Sequence, residues 1–414
     1  MKRILLFGTL SLFFANLIYM VFSYGVNIFL AKTLGAANYG IYAVVVSLLS
    51  LVIIIFSSGV NGAVSKFISK NPEESEEIKS AGIKLSAFSG TILFIAYFLS
   101  ADLIAQILND PSLGNLIRMS SIMIPIYFFY PVFLGYFNGL KDYSKQAAIT
   151  ISYSITKFFI IVLLVLLGFS VLGAVIGFAI APLSALILGL YYSKTKKATK
   201  SFNLIKILKL AIPITIFSFL FESSFTLGLF SVKSILVQDY FVGQYNAALQ
   251  IARFPYYLTM ALSGALFPVV SESFSNKKIV ELKKNLSKTF KYFIIFILTT
   301  TIAIFVFSFQ ILTILFGREF APASPSLQVL SLASIFVAMF YILCIILIGI
   351  EKEKYSVVIA FSVLILAWFS NLLLIPLFSL LGAAIATFVA FFSGSVIAGI
   401  IVLKFMIKSE KNNG

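Results

Sequence analysis

Twelve apolar stretches, each about as long as the roughly 20 residues that span a bilayer core of ~30 Å, follow one another along this 414-residue chain. Hydrophobic residues make up 60% of it and charged ones 11%, with a mean hydropathy of +1.06. No water-soluble fold can bury that much apolar surface, so lipid is the solvent for most of the chain. In lipid each backbone N–H and C=O must be satisfied within its own element, which selects helices. The sequence therefore predicts an all-α polytopic membrane protein. The spans read as 5–31, 39–64, 81–101, 115–137, 146–167, 171–192, 209–232, 240–270, 288–314, 324–349, 355–376 and 381–405.

The basic residues set the expected orientation. With both termini cytoplasmic, the inside segments hold 25 of the 31 Lys and Arg residues, including Lys194, Lys196, Lys197, Lys277, Lys278, Lys283 and Lys284. Outside lie only Lys32, Arg118, Lys233 and Arg318. Cationic loops resist translocation, so this asymmetry places the N- and C-termini in the cytoplasm of a cell whose plasma membrane the chain crosses. The net charge of +16 is then matched to the anionic inner leaflet and calls for no nucleic-acid partner. The first span has no small-residue cleavage site and reads as a retained helix. Cys344, the single cysteine, cannot form an intrachain disulfide and is expected to pack within span ten.

The chain resembles itself at half its length. LGAVIGF at 172–178 opens span six and LGAAIAT at 381–387 opens span twelve. Gly139-Leu140 and Tyr143-Ser144 precede span five, as Gly349-Ile350 and Tyr355-Ser356 precede span eleven. Gly40-Ile41-Tyr42 and Gly243-Gln244-Tyr245 enter spans two and eight. Six spans per half keep the repeats parallel, related by an axis along the membrane normal. The expected organisation is a six-helix lobe over 1–193, a basic connector over 194–208, a second six-helix lobe over 209–406 and a tail over 407–414, with a cavity between the lobes and alternating access to it.

Some chemistry is excluded. The chain has no histidine, which removes the usual general base and most zinc sites. It has no GxxxxGK[ST] phosphate loop, and no extramembrane segment long enough for a catalytic domain. A carrier without cofactor or metal fits better than an enzyme.

Polar side chains inside lipid show where lipid is absent. Asn246, Gln250, Arg253 and Tyr257 share one face of span eight by their spacing of four, three and four. Thr215, Ser218, Glu222 and Thr226 share a face of span seven. Span one carries Asn16, Tyr19, Ser23 and Asn27; span two Ser47, Ser50, Ser57 and Asn61; span five Thr150, Tyr153 and Lys157. Ser, Thr and Asn alone are ordinary helix–helix glue. The ionisable residues carry more weight. Arg253 lies 14 residues past Asp239, about 21 Å along a helix, and Lys157 about 16 Å past Gln146. Pro255 is expected to loosen the helix beside Arg253. Two readings stay open here. In one, Glu222 is a fixed counter-ion for Arg253 or Lys157. In the other, two cations against one anion line a positively charged cavity, where Arg binds phosphate oxygens as a fork and Lys as a point charge.

The stretches LAKTLGAANYGIYAVV and FSSGVNGAVSKFIS between 30 and 70, VGQYNAALQIARFPYYL at 242–258, ALFPVVSESFS at 265–275 and IPLFSLLGAAIAT at 375–387 resemble the polysaccharide exporter, or oligosaccharide flippase, branch of the multidrug/oligosaccharidyl-lipid/polysaccharide (MOP) superfamily. The resemblance covers essentially the whole chain. It implies two six-helix lobes with a cavity lined mainly by spans one, two, seven and eight. It also implies movement of a polyprenyl-diphosphate-linked oligosaccharide from the inner to the outer leaflet. On this reading Arg253, Lys157, Gln250, Asn246, Tyr257, Asn27, Ser23 and Asn61 are the expected substrate-binding residues. Glu222, with Asn371 and Thr387, is the expected coupling or counter-ion group. A second span-eleven carboxylate seen in some sodium-coupled relatives is missing, and Lys233 aligns where relatives often carry Asp. Partners would be the lipid-linked glycan, membrane lipids and polysaccharide-assembly proteins. A multidrug or small-cation exporter of the same fold is the main alternative, and a membrane polymerase or ligase a weaker one.

Overall fold

The computed structural model describes residues 2–122, 124–193, 200–257, 294–350 and 352–411, and among them every regular element is helical. They fall into two compact units, Met1–Phe219 and Leu220–Gly414.

The first unit opens with α1 (Lys2–Lys70), 69 residues long. A straight helix of that length would run about 100 Å, three times a bilayer core. Gly35 interrupts it at φ 74° and ψ 169°, a backbone state that a side chain would strain. Across this break the Tyr39 hydroxyl donates to Asn27 Oδ1 at 2.9 Å. Twelve residues of straight helix would separate those positions by about 18 Å, so the chain folds back at Gly35 and α1 forms spans one and two. Then come α2 (Ser75–Leu99), α3 (Ala101–Ile107), α4 (Leu113–Ser121) and α5 (Ile124–Gly139). The last two meet at 43° as one broken span.

Next, α6 (Tyr143–Leu164) leads through a π turn at Val165–Phe169 into α7 (Ser170–Ile180) and α8 (Pro182–Ser193). Gly168 in the turn has φ 91°. A Cβ on Gly177 of α7 would lie 2.7 Å from Ile161 Cγ1 of α6, so this stretch also folds back on itself. Helices α5 and α6 both pack along α1. Buried Phe128, Phe133 and Phe137 on α5 supply bulk to that core.

Helix α9 (Leu204–Leu236) passes from the first unit into the second. The second unit continues with α10 (Asp239–Ala252), α11 (Ile294–Val306), α12 (Ser308–Leu315), α13 (Ser324–Gly349), α14 (Glu353–Phe378) and α15 (Leu380–Lys411). Here α13 and α14 pack on α15, and α10 on α13. Phe221, Phe225, Tyr256, Phe340 and Phe391 form an aromatic core joining α9, α13 and α15, with centroids 5.3 to 6.1 Å apart.

Span nine, expected as one straight helix over 288–314, is bent by 73° between α11 and α12. Hydropathy is blind to such a bend, because both arms are equally apolar. Seven of the described helices are long and apolar enough to cross a bilayer, or nine if each bent pair is one span. The two longest, of 61 and 51 residues, each supply two spans, and α10 begins span eight. The end of span eight, the connection 271–287, the start of span nine and connector residues 194–199 lie outside the described residues.

The internal repeat reappears in the backbone. Ser170, two residues before Leu172-Gly173, sits at φ 48° and ψ −133°. Ser379, two residues before Leu381-Gly382, sits at φ 53° and ψ −129°. Residues with side chains rarely adopt this state. Its recurrence at matching positions marks a shared hairpin geometry.

Candidate functional site

Each unit contains one intramembrane cation from the sequence analysis, and the surroundings differ. In the second unit α10 ends at Arg253, whose N–H still bonds to the Leu249 carbonyl at 3.0 Å. Pro255, lacking an N–H, leaves the Ile251 carbonyl without its usual helical donor. The Arg253 guanidinium reaches α9, where Glu222 and Thr226 stand one turn apart on one face. Nη2 lies 2.9 Å from Glu222 Oε1 and donates to Thr226 Oγ1 at 2.9 Å. Thr226 itself donates to Glu222 Oε1 at 3.4 Å. The Phe225 ring lies under the guanidinium with its centroid 5.0 Å away. The Arg253 and Glu222 side chains are 13% and 15% exposed, so the pair is largely removed from solvent. Arg253 Nε is buried without a hydrogen-bond partner among the described residues. Of the two sequence readings for Glu222, this geometry is that of a counter-ion to Arg253, not to Lys157.

In the first unit Lys157 points from α6 toward the first arm of α1. Gly25 permits the approach, since a Cβ there would come within 3.1 Å of the Phe158 ring. Lys157 Nζ donates to Ser23 Oγ at 2.8 Å and lies 5.0 Å and 5.4 Å from the ring centroids of Tyr19 and Tyr153. It is 5% exposed. No carboxylate stands within ion-pair distance of it among the described residues. Among the described residues its charge is met by a hydroxyl dipole and two ring faces. Both are attractive to a cation, and neither neutralises it.

The remaining candidates distribute as follows. Asn27 donates through Nδ2 to the Ser23 carbonyl at 2.9 Å and accepts from Tyr39, so Ser23, Asn27 and Lys157 form one group. Asn61 lies in the seam between α1 and α5, where a Cβ on Gly135 would be 2.6 Å from its carbonyl oxygen. Among the described residues it makes no hydrogen bond to that group. In the second unit Asn246 is buried and accepts from Gln250 Nε2 at 3.4 Å. The Tyr257 side chain also interacts with Arg253. Asn371 donates to the Ala367 carbonyl at 2.8 Å and Thr387 to the Ala383 carbonyl at 3.0 Å. Among the described residues no hydrogen bond links either to Glu222. Lys233, expected at the outer edge, is buried and paired with Asp239 at 2.5 Å.

Sequence reasoning missed Phe225 under the guanidinium and the tyrosines beyond Tyr153. Tyr130 stacks on Tyr153 at 5.7 Å, and Tyr127 meets it edge-on at 6.5 Å. The i,i+3 spacing of Tyr127 and Tyr130 was the available signal.

Residues 5–274 match the profile of a family described as Polysaccharide biosynthesis protein, and residues 213–373 match MatE. A probable low-salt glycan biosynthesis flippase, Agl15 of Haloferax volcanii, is 25% identical over 94% of this chain and 82% of its own length. The lipid II flippase MurJ of Bacillus subtilis is 23% identical over 96% of this chain and 81% of its own. Among solved structures, an inward-facing multidrug resistance MATE family transporter of the MOP superfamily superposes with a TM-score of 0.80 at 13% identity, covering 98% of this chain and 100% of the other. A MOP superfamily transporter from Pyrococcus furiosus gives 0.76 at 14% identity, covering 97% and 96%.

Proposed function

This chain belongs to the polysaccharide biosynthesis protein family of MOP-superfamily membrane transporters, and we propose that it flips a polyprenyl-diphosphate-linked oligosaccharide from the inner to the outer leaflet by alternating access. The observation that carries the proposal is Lys157, a buried cation within an apolar span that has no carboxylate within ion-pair distance among the described residues. A cation in that position is costly and marks a solute path, and the solute it suits is an anion. Its ammonium acts as a point charge toward a diphosphate oxygen. Beside it, Ser23 and Asn27 supply hydrogen-bonding groups for a glycan. The lipid tail stays in the bilayer. Both termini face the cytoplasm of the plasma membrane, with the basic connections on the anionic side. Glycan relatives named as flippases and the polysaccharide family profile support the cargo class.

The charge of Arg253 is largely balanced by Glu222, so its net attraction for an anion is weaker than that of Lys157. An exporter of cationic drugs with this fold would need an acidic site, and a carboxylate-free lysine opposes that.

The test is Lys157→Gln in cells lacking the wild-type copy, read as glycan reaching the outer surface per unit of inserted protein. Loss of export with normal insertion is expected. Normal export by this variant would overturn the anionic head-group site.

A further inference from the structure

Lys157 is held in a cluster of phenols that its charge alone does not require. Tyr19 stacks on Tyr153 with centroids 6.3 Å apart and planes 19° apart, and Tyr153 stacks on Tyr130 at 5.7 Å and 11°. The ammonium lies over two rings of this three-ring series. The Tyr127 and Tyr153 hydroxyls lie 3.5 Å apart. Tyr127 itself donates to the Phe178 carbonyl at 2.7 Å.

Membrane proteins concentrate tyrosine at the two interfaces, where the hydroxyl reaches water. This cluster instead accompanies a lysine about 16 Å along its helix from Gln146. A core whose only task was packing would use Phe or Leu here, which bring no hydroxyls to satisfy. Within the cluster Tyr153, Tyr127 and Tyr42 are buried, whereas Tyr19 is 37% exposed. The stack therefore has an inner, supporting part and an outer ring that a ligand can reach. A phenol offers an apolar face beside a hydroxyl. A pyranose has the same two-sided character, with an axial C–H face and a rim of hydroxyls.

We propose that this cluster is a glycosyl-phosphate recognition site, in which Lys157 and Ser23 hold a phosphate oxygen while the Tyr19 ring receives the C–H face of the first sugar. The proposal deepens the head-group reading and rests on it. What it adds is the residue that meets the first sugar, the Tyr19 ring beside Lys157. Tyr153 and Tyr130 act as positioning residues by holding the Tyr19 ring parallel to them.

The test uses purified full-length protein and two probes, farnesyl diphosphate and farnesyl diphosphate bearing one glucose, with affinities measured by calorimetry. Tyr19→Leu is expected to weaken the glucosylated probe about tenfold more than the bare diphosphate, the scale of one lost aromatic contact. Tyr19→Phe, which keeps the ring and loses the hydroxyl, should bind the glucosylated probe more weakly than the parent and more tightly than Tyr19→Leu. Binding of the bare diphosphate by Tyr19→Leu doubles as proof that the variant is folded. Equal losses on both probes would overturn the sugar assignment, and so would no loss on either. Lys157→Gln tests the underlying reading separately, since it should weaken both probes. Unchanged binding by that variant would sink the anion site whatever Tyr19 does.

Discussion

Arg253 and Lys157 are both cations set deep in apolar helices, yet the chain treats them in opposite ways. Arg253 has Glu222 at 2.9 Å and Thr226 at 2.9 Å on a facing helix. Among the described residues Lys157 has the Ser23 hydroxyl and two tyrosine faces and no carboxylate partner. A charge paired within the protein is part of the fold, and removing its partner leaves an uncompensated charge behind. A charge left unpaired is a cost that the fold carries for another purpose. On the function proposed above, the difference separates a structural ion pair from a binding group, and it makes opposite forecasts for stability and transport.

The largest expected effect is on transport by Lys157→Gln. Flipping should fall by roughly 100-fold, the size of one lost charge-assisted contact of about 3 kcal/mol. Lys157→Met should at the same time melt no lower than the parent, because it removes a buried charge that no carboxylate compensates. A clear drop in melting temperature would show that Lys157 is a structural element after all. Next in size is Glu222→Gln, expected to destabilise by about 3 kcal/mol by leaving Arg253 buried and unpaired. Thermal unfolding in detergent measures it, and an unchanged melting point would dissolve the contrast between the two cations.

A double variant sharpens the comparison. Glu222→Gln with Arg253→Met should be less destabilised than the two single losses added together, by about 1–3 kcal/mol of coupling. Additive losses would mean that the 2.9 Å contact carries no energy. The smallest effect belongs to Thr226→Val, which removes a hydroxyl bonded to Arg253. About 1 kcal/mol of stability should go, with transport retained. A transport defect as deep as that of Lys157→Gln would move Thr226, and Arg253 with it, into the binding site.

Much of the fold was legible along the chain because lipid imposes a one-dimensional rule. Every backbone group must be satisfied locally, so span and helix coincide. The stripe containing Ser23 and Asn27 and the stripe containing Tyr153 and Lys157 were visible as i,i+3 and i,i+4 spacings, and they do meet. The half-length repeat was visible in LGAVIGF and LGAAIAT, and it returns as the paired backbone states of Ser170 and Ser379. The 73° bend between α11 and α12 was not visible, since neither Gly nor Pro marks it.

For the candidate site, sequence by itself determined which residues could matter, because an ionisable side chain inside an apolar helix stands out without any partner being known. Only the tertiary structure decided what each one contacts. Glu222 is 31 positions from Arg253 in sequence and could have served either cation. Its choice follows from the packing of α9 against α10. The solitude of Lys157 is likewise a property of its neighbours: α1 brings it a serine and a tyrosine and no acid. Periodicity tells which face of a helix is polar, whereas charge compensation depends on what the opposing helix presents at the same depth. The chain encodes that match only through its three-dimensional packing.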